Sequence, residues 1–352
     1  MEHLSVVMTT ETVADVTQAT AANVAMTSPS RGIAFYFQCA VVVIGVVGMT
    51  ANALILYALV ASGQHKKHVL IFDLNLLDFF SCLLLIISYS LMLCNIDLTG
   101  SGGYWLCMLF MSESLLWWTN IASKTNLMII TIERYLKVVY PHWSKKKVRK
   151  WMIYAAMAFA WASAFVHVFA LTFATTDVVD GVCYAYVFWL SPTAHKVYLI
   201  WAFLSYYVLL LLTFIFCYWR IVMAIRRQAR SMARHGSTSG QAQSQQIQTS
   251  VIKTMIIVCA VFAISDLPVQ VVGLLHGFAA SVSLPEGAYY ATLFLSFLYI
   301  CTNPFIYAAK FDPVKRVLSS LNPCKKSSVQ PVESVDMNVA GTASHRTDQS
   351  GK

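Results

Sequence analysis

Seven stretches of mainly apolar residues, 32–61, 69–94, 104–139, 151–175, 197–225, 251–279 and 287–310, alternate with polar segments along the chain. Each is long enough for an α-helix to cross a bilayer, which takes roughly 20 residues. The pattern predicts an all-α fold, a seven-transmembrane helix bundle over 32–311. Residues 1–31, rich in Thr, Ala and Ser, read as a disordered tail, as do 325–352, and the polar connection 228–248 with its RHGSTSGQAQSQQIQ run reads the same way.

Composition agrees with the pattern. Of 352 residues, 58% are hydrophobic and 12% charged, with a mean hydropathy of +0.62, whereas soluble domains carry about 25% charged residues. Cations cluster on alternate connections, at Lys66–Lys67, Lys145–Lys150, Arg226–Arg234 and beyond the seventh span, while the opposite face carries Arg31 and Lys196. The positive-inside rule therefore predicts an extracellular N-terminus and a cytoplasmic C-terminus in a multi-pass membrane protein. The net charge of +9 then belongs to the cytoplasmic surface and suits anionic membrane lipids or an acidic partner; no nucleic-acid motif accompanies it. The N-terminal tail has no basic start before an apolar core, so the first span is expected to act as its own insertion signal. The tail also lacks an Asn-x-Ser/Thr acceptor.

Nine cysteines divide by depth. Cys39, Cys82, Cys217, Cys259 and Cys301 fall inside spans, where a thiol behaves as a small hydrophobe. Cys94, Cys107 and Cys183 lie near the oxidising face; Cys107 with Cys183 is the favoured disulfide, with Cys94 an open alternative. Cys324, in LNPCKK, fits reversible acylation or a plain cytosolic thiol.

Polar residues inside apolar spans are the candidates for function. The third span ends in TIERYLKVV, with Glu133 beside Arg134; a basic helix-end anchor would look similar. The second span carries Asp78, the first Asn52, the fourth Trp161, and the seventh ends in NPFIY, where Pro304 frees a backbone carbonyl. In this order on seven spans, these residues resemble the rhodopsin-like (class A) G protein-coupled receptors over essentially the whole membrane part, from Gly32 to about Cys324. The resemblance implies that Glu133, Arg134 and Tyr135 hold the resting state and then meet the G protein. It implies that Asn303, Pro304 and Tyr307 rearrange on activation together with Tyr218. It also makes KFDPVKRVL part of a short amphipathic helix over 312–324, with Phe311, Val314 and Val317 or Leu318 on its apolar side.

Departures from the family pattern carry their own expectations. Asp266, in FAISDLP, replaces the usual tryptophan two residues before Pro268. A charge at mid-membrane costs about 3 kcal/mol or more unless paired, and Lys124 in the third span is the expected partner; pairing of Lys124 with Asp78 instead is the alternative. Asn52, Asp78, Ser123, Lys124, Asp266 and Asn303 then form a buried polar network. Asp78 and Ser123, with Asn303, resemble a sodium pocket, with Tyr299 in place of a second amide and the Lys124 ammonium a rival for the ion. Leu210 stands where the fifth helix usually has proline, which predicts loss of its bulge. The sixth span offers Gln248 and Lys253 but no acid for Arg134, so Glu133 alone is expected to hold it, with a leaky resting state. Cys107 lies two residues farther from Arg134 than is usual.

For the ligand, Leu116 occupies the position of the amine-binding aspartate, and 287–309 contains no Schiff-base lysine. Neither an amine receptor nor an opsin is expected. Glu113, Trp117, Asn120 and Lys124 fall on one side of the third span. With Leu116, Asp266, Gln270 and Leu293 they make the predicted ligand site, a peptide or amphipathic organic molecule being favoured. Trp118, His167, Tyr184, Tyr186, Trp189, Tyr206, Tyr207, His276, Tyr289 and Tyr290 add candidate walls, although aromatic side chains also populate any membrane interface. The expected partners are that ligand, a heterotrimeric G protein, and arrestin and receptor kinases acting on Ser327, Ser328, Ser334, Thr342, Ser344, Thr347 and Ser350. No cofactor is expected, sodium apart, and no His-Glu-x-x-His or paired-aspartate motif suggests an enzyme. The competing class is a seven-span transporter or proton channel using Asp78, Lys124 and Asp266 along a pathway, though the chain shows no internal repeat.

Overall fold

The computed structural model describes residues 30–94, 96–235, 239–278 and 285–310, and positions 314, 315, 317 and 319. The expected tails, Cys324, the serine and threonine sites beyond 326 and most of the expected helix over 312–324 lie outside these residues; Val314 is buried in the main core and Val317 packs against it.

Helix α1 (Ser30–Ala61) leads through a 3-10 turn (Gln64–Lys66) to α2 (Val69–Leu93). The third span comprises α3 (Gly100–Leu106), a π turn (Cys107–Met111) and α4 (Ser114–Val139), followed by the loop helix α5 (Pro141–Lys147). The fourth span is α6 (Lys150–Thr175), and strands β1 (Asp177–Val179) and β2 (Val182–Tyr184) form an antiparallel hairpin. The fifth span is α7 (Pro192–Phe203), a π turn (Leu204–Val208) and α8 (Leu209–His235); α9 (Ser239–Phe278) and α10 (Glu286–Lys310) are the sixth and seventh. Between them, α1 packs on α2 and α10, α9 on α10, and α4 on α2, α6 and α8, so the third span is the axle of the bundle.

That central position explains its composition. Among the described residues six helical segments are long and apolar enough to cross a membrane by themselves, α7 to α8 counting as one; α4 instead buries Thr119, Asn120, Ser123, Lys124, Asn126 and Thr131 against its neighbours. Exposed apolar side chains such as Val43, Leu54, Phe159, Leu212 and Ile264 point outward, as hydrocarbon solvent requires. At Gly48 a Cβ would lie 2.6 Å from the Cys301 sulfur and 2.7 Å from that of Cys82, so α1 approaches α2 and α10 closely only because that side chain is absent.

Three sequence expectations are corrected. The third span is not one helix over 104–139: it breaks at Ser112–Glu113, where Glu113 is left-handed at φ 58°. The π turn leaves carbonyls unpaired, and the Ser112 hydroxyl donates to Met108 O at 2.7 Å, as does the Ser114 hydroxyl. The fifth span keeps a bulge without proline, as the π turn 204–208, which swings Tyr207 inward to donate to the Ala263 carbonyl at 2.9 Å. The connection 228–248 is helical on both sides of residues 236–238, through α8 and α9, since Gln, Ala, Arg and Met are good helix formers.

Candidate functional site

At one end of the bundle the Cys107–Cys183 disulfide, Cα atoms 5.5 Å apart, ties the hairpin to the third span. The π turn Cys107–Met111 and the left-handed Glu113 lie between that disulfide and Arg134. Cys94 is a free, exposed thiol. The hairpin turns at Asp180 and Gly181, both with positive φ of 51° and 76°, the pairing that a two-residue loop between twisted strands favours.

Beneath the hairpin is a cavity of about 510 Å³, within the range of small-molecule sites. Of the predicted ligand residues, Glu113, Trp117, Lys124, Gln270 and Leu293 line it, together with the aromatic walls His167, Tyr186, Trp189, Tyr206 and Tyr289. Leu116, Asn120 and Asp266 do not: all three are buried in helix packing, at 1%, 2% and 1% exposure. Trp118 packs on Trp161 and donates to its carbonyl at 3.0 Å, and Tyr290 stacks on Phe37. Tyr184, Tyr207 and His276 also stay out of the lining. His195 and Tyr198 line the cavity unforeseen; Ser191 caps Ala194 N at 3.1 Å and Pro192 opens α7, so the fifth span starts earlier than its apolar run. Tyr198 stacks on His167 and Trp189 on His195. Burial raises the Tyr186 phenol to about 12, so it remains a donor.

The floor of the cavity is charged and closed. Lys124 Nζ lies 2.7 Å from Asp266 Oδ1, with both side chains almost fully buried. Ser296 donates to the same oxygen at 3.1 Å and Gln270 donates to Oδ2 at 3.0 Å. The Phe262 ring lies 5.7 Å beneath the ammonium. A buried pair is tolerated when its remaining lone pairs are satisfied, and Ser296, which sequence reasoning missed, completes that satisfaction.

Asp78 stands apart from this cluster. Its Oδ1 accepts from Ser123 and its Oδ2 from Asn303, both at 2.7 Å. The expected single network is therefore two clusters, because adjacent Ser123 and Lys124 point about 100° apart around α4. Asn52 joins neither; it donates to Gly48 O at 3.0 Å and lies 3.9 Å from the Cys82 sulfur. The Tyr299 hydroxyl and Asn303 Oδ1 are buried without partners, so the oxygen set around Asp78 fits a hard cation. A second buried carboxylate went unnoticed: Asp73 accepts from Trp161 Nε1 at 3.3 Å.

At the opposite, lysine-rich end, Glu133 Oε2 lies 3.7 Å from Arg134 Nε and its other oxygen binds Lys137. Glu133 does not hold Arg134 alone: a guanidinium nitrogen lies 3.1 Å from His68 Nδ1. Burial first, and the guanidinium second, lower the His68 imidazole to about 4, so it meets Arg134 neutral and as an acceptor. Tyr135 packs edge-on to Tyr140. Tyr218 shares a hydrogen bond with Thr131 at 3.2 Å, and the Tyr307 hydroxyl, one turn past Asn303 and Pro304, is buried without a partner. Among the described residues no cluster of three metal-ligating His, Cys, Asp or Glu side chains occurs.

Known proteins are similar to this chain in sequence. Residues 51–307 match the model of the 7 transmembrane receptor (rhodopsin family). The chain is 26% identical to somatostatin receptor type 5 of Bos taurus over 76% of its length and 70% of that protein's. Identity to somatostatin receptor type 4 of Rattus norvegicus is 25%, covering 79% and 70%. Melanopsin-B of Gadus morhua is 27% identical over 88% of this chain and 50% of its own. The chain belongs to the rhodopsin family of seven-transmembrane receptors, which bind an extracellular ligand, signal through G proteins and are not enzymes, and the transporter alternative is set aside.

Proposed function

We propose that a peptide or an amphipathic organic ligand enters the disulfide-end cavity, which faces the cell exterior, and that the Lys124–Asp266 pair in its floor is the element the ligand disturbs. The observation that carries this is the position of the pair: Lys124 and Gln270 are at once cavity lining and ligands of the Asp266 carboxylate. The distribution of cations supports the orientation, N-terminus outside. Aromatic walls with few charges suit an amphipathic guest, and the somatostatin receptors among the relatives favour a peptide. A buried Leu116 and a seventh span without lysine from 287 to 309 favour neither an amine nor a retinal-type ligand.

Loss of the pair frees the sixth helix from the third, and a G protein then docks against Arg134, with Tyr218, Asn303, Pro304 and Tyr307 rearranging between the two ends. Asp78, Ser123, Asn303 and Tyr299 offer oxygens to a sodium ion that would favour the resting packing. The tail serines and threonines would serve receptor kinases and arrestin, and Cys324 a lipid anchor. The test is ligand-free G protein activation in cells for the wild type and Arg134→Ala at matched surface expression. A basal signal is expected that falls in the variant; a signal unchanged by the substitution would overturn the assignment of Arg134.

A further inference from the structure

Among the described residues three that are not glycine have a positive φ: Asp180 at 51°, Glu113 at 58° and Tyr186 at 60°. Asp180 is accounted for by the hairpin turn. Glu113 and Tyr186 both line the disulfide-end cavity, and a bulky side chain on a left-handed backbone is strained unless its surroundings hold it there. Hydrogen bonds do so in each case. The Ser112 and Ser114 hydroxyls both donate to Met108 O on either side of Glu113. Tyr186 N donates to Thr176 Oγ1 at 3.1 Å, and its carbonyl accepts from Trp189 Nε1 at 2.8 Å. Two strained residues are thus fixed in the wall of one cavity, close enough for the Tyr186 phenol to feel the Glu113 charge.

That charge has no counter-ion. Glu113 is the N-cap of α4, yet its side chain makes no cap hydrogen bond, so the carboxylate is not spent on closing the helix. Among the described residues no Lys, Arg or His lies within ion-pair distance of it. Lys124, the ammonium that also lines the cavity, is already matched by Asp266. The surroundings of the carboxylate are aromatic instead: Tyr89 and Trp117 stand beside it, and the Tyr289 ring lies within reach of its charge. Ring faces attract a cation and a carboxylate pairs with one, so both features select the same kind of guest.

We propose that Glu113, with the Tyr186 and Tyr289 rings, is a subsite for a cationic group of the ligand, an ammonium or a guanidinium. It rests on the reading of this cavity as the ligand site and narrows the ligand to a basic amphipathic one. Glu113 lies one helical turn from the buried Leu116 and 11 positions from Lys124, which is about 16 Å along the third span at 1.5 Å per residue. A ligand that pairs with Glu113 and also reaches the floor must therefore be long, as a basic peptide is.

The test reads the charge preference of the cavity and needs no identified ligand. It uses the full chain in nanodiscs, with the exposed free thiol removed by Cys94→Ser and a thiol introduced in the cavity wall by Leu293→Cys. Labelling rates at position 293 with cationic trimethylammonioethyl and anionic sulfonatoethyl methanethiosulfonate are measured by mass spectrometry, each divided by the rate with a small free thiol. The cationic reagent is expected to react faster, and Glu113→Gln to cut the ratio roughly tenfold. Glu113→Asp should keep the preference. Glu113→Asn, which tolerates a left-handed backbone without the charge, should lose it as Glu113→Gln does, which separates charge from strain. Equal rates for the two reagents with Glu113 intact, or a ratio unchanged by Glu113→Gln, would overturn the subsite. Neutral methyl methanethiosulfonate reports entry by itself: failure to label position 293 would overturn the reading of the cavity as a ligand site, and the subsite with it.

Discussion

Two cavities of this receptor handle charge in opposite ways. In the floor of the disulfide-end cavity a lysine and an aspartate meet at 2.7 Å, and glutamine and serine donors complete the carboxylate's contacts. Around the cavity at the lysine-rich end Lys66, Lys67, Lys145 and Lys150 face a common space without a described carboxylate partner. Water and headgroups screen charge at a membrane surface, whereas hydrocarbon does not. Charge at this joint is consequently matched atom by atom, while charge at the rim is left over for a partner.

The largest effect should come from unmatching the buried pair. Asp266→Ala leaves the Lys124 ammonium uncompensated and is expected to cost about 3–5 kcal/mol, whereas Lys124→Met with Asp266→Leu should stay close to wild type. Thermal unfolding of purified receptor in detergent measures both; a double variant as unstable as the single one would remove the distinction between matched and unmatched charge.

A smaller effect sharpens the contrast at the rim. The His68 imidazole is lowered from an ordinary 6.5 to about 4 by burial and then by Arg134. Above pH 6.5 it is neutral in folded and unfolded chains alike. As pH falls from 6.5 toward 4 the unfolded chain takes up a proton that the folded one resists, so stability is lost across that window. His68→Gln, which keeps an acceptor for Arg134, should reduce the difference in melting temperature between pH 7 and pH 5. An unchanged difference would show that the His68 imidazole is not lowered in the folded chain.

Much of this was legible from residue order, because a bilayer forces apolar runs of fixed length. Seven spans and the lysine-rich end follow from it, whereas the motifs around Arg134 and Asn303 were read from a family resemblance. Breaks inside spans were only partly legible: Ser112-Glu113-Ser114 is a polar triplet inside its apolar run, whereas nothing local at Leu204–Val208 departs from an apolar helix pattern, and the missing proline at Leu210 pointed the wrong way. The hairpin was readable in VVDGV, where Asp180–Gly181 is a turn signal, and the early start of α7 in Ser191–Pro192. His68 and Ser296 left no such trace, since they meet Arg134 and Asp266 across 66 and 30 positions, and periodicity reports only the face of a residue's own helix.

The joint beneath the ligand cavity is tested most directly by a charge-reversal cycle on ligand-free G protein signalling at matched surface expression. Lys124→Asp and Asp266→Lys alone are each expected to raise the basal signal by freeing the sixth helix from the third, and the double swap to bring it back toward wild type. A double swap no closer to wild type than either single variant would contradict the pair as the link between ligand and G protein.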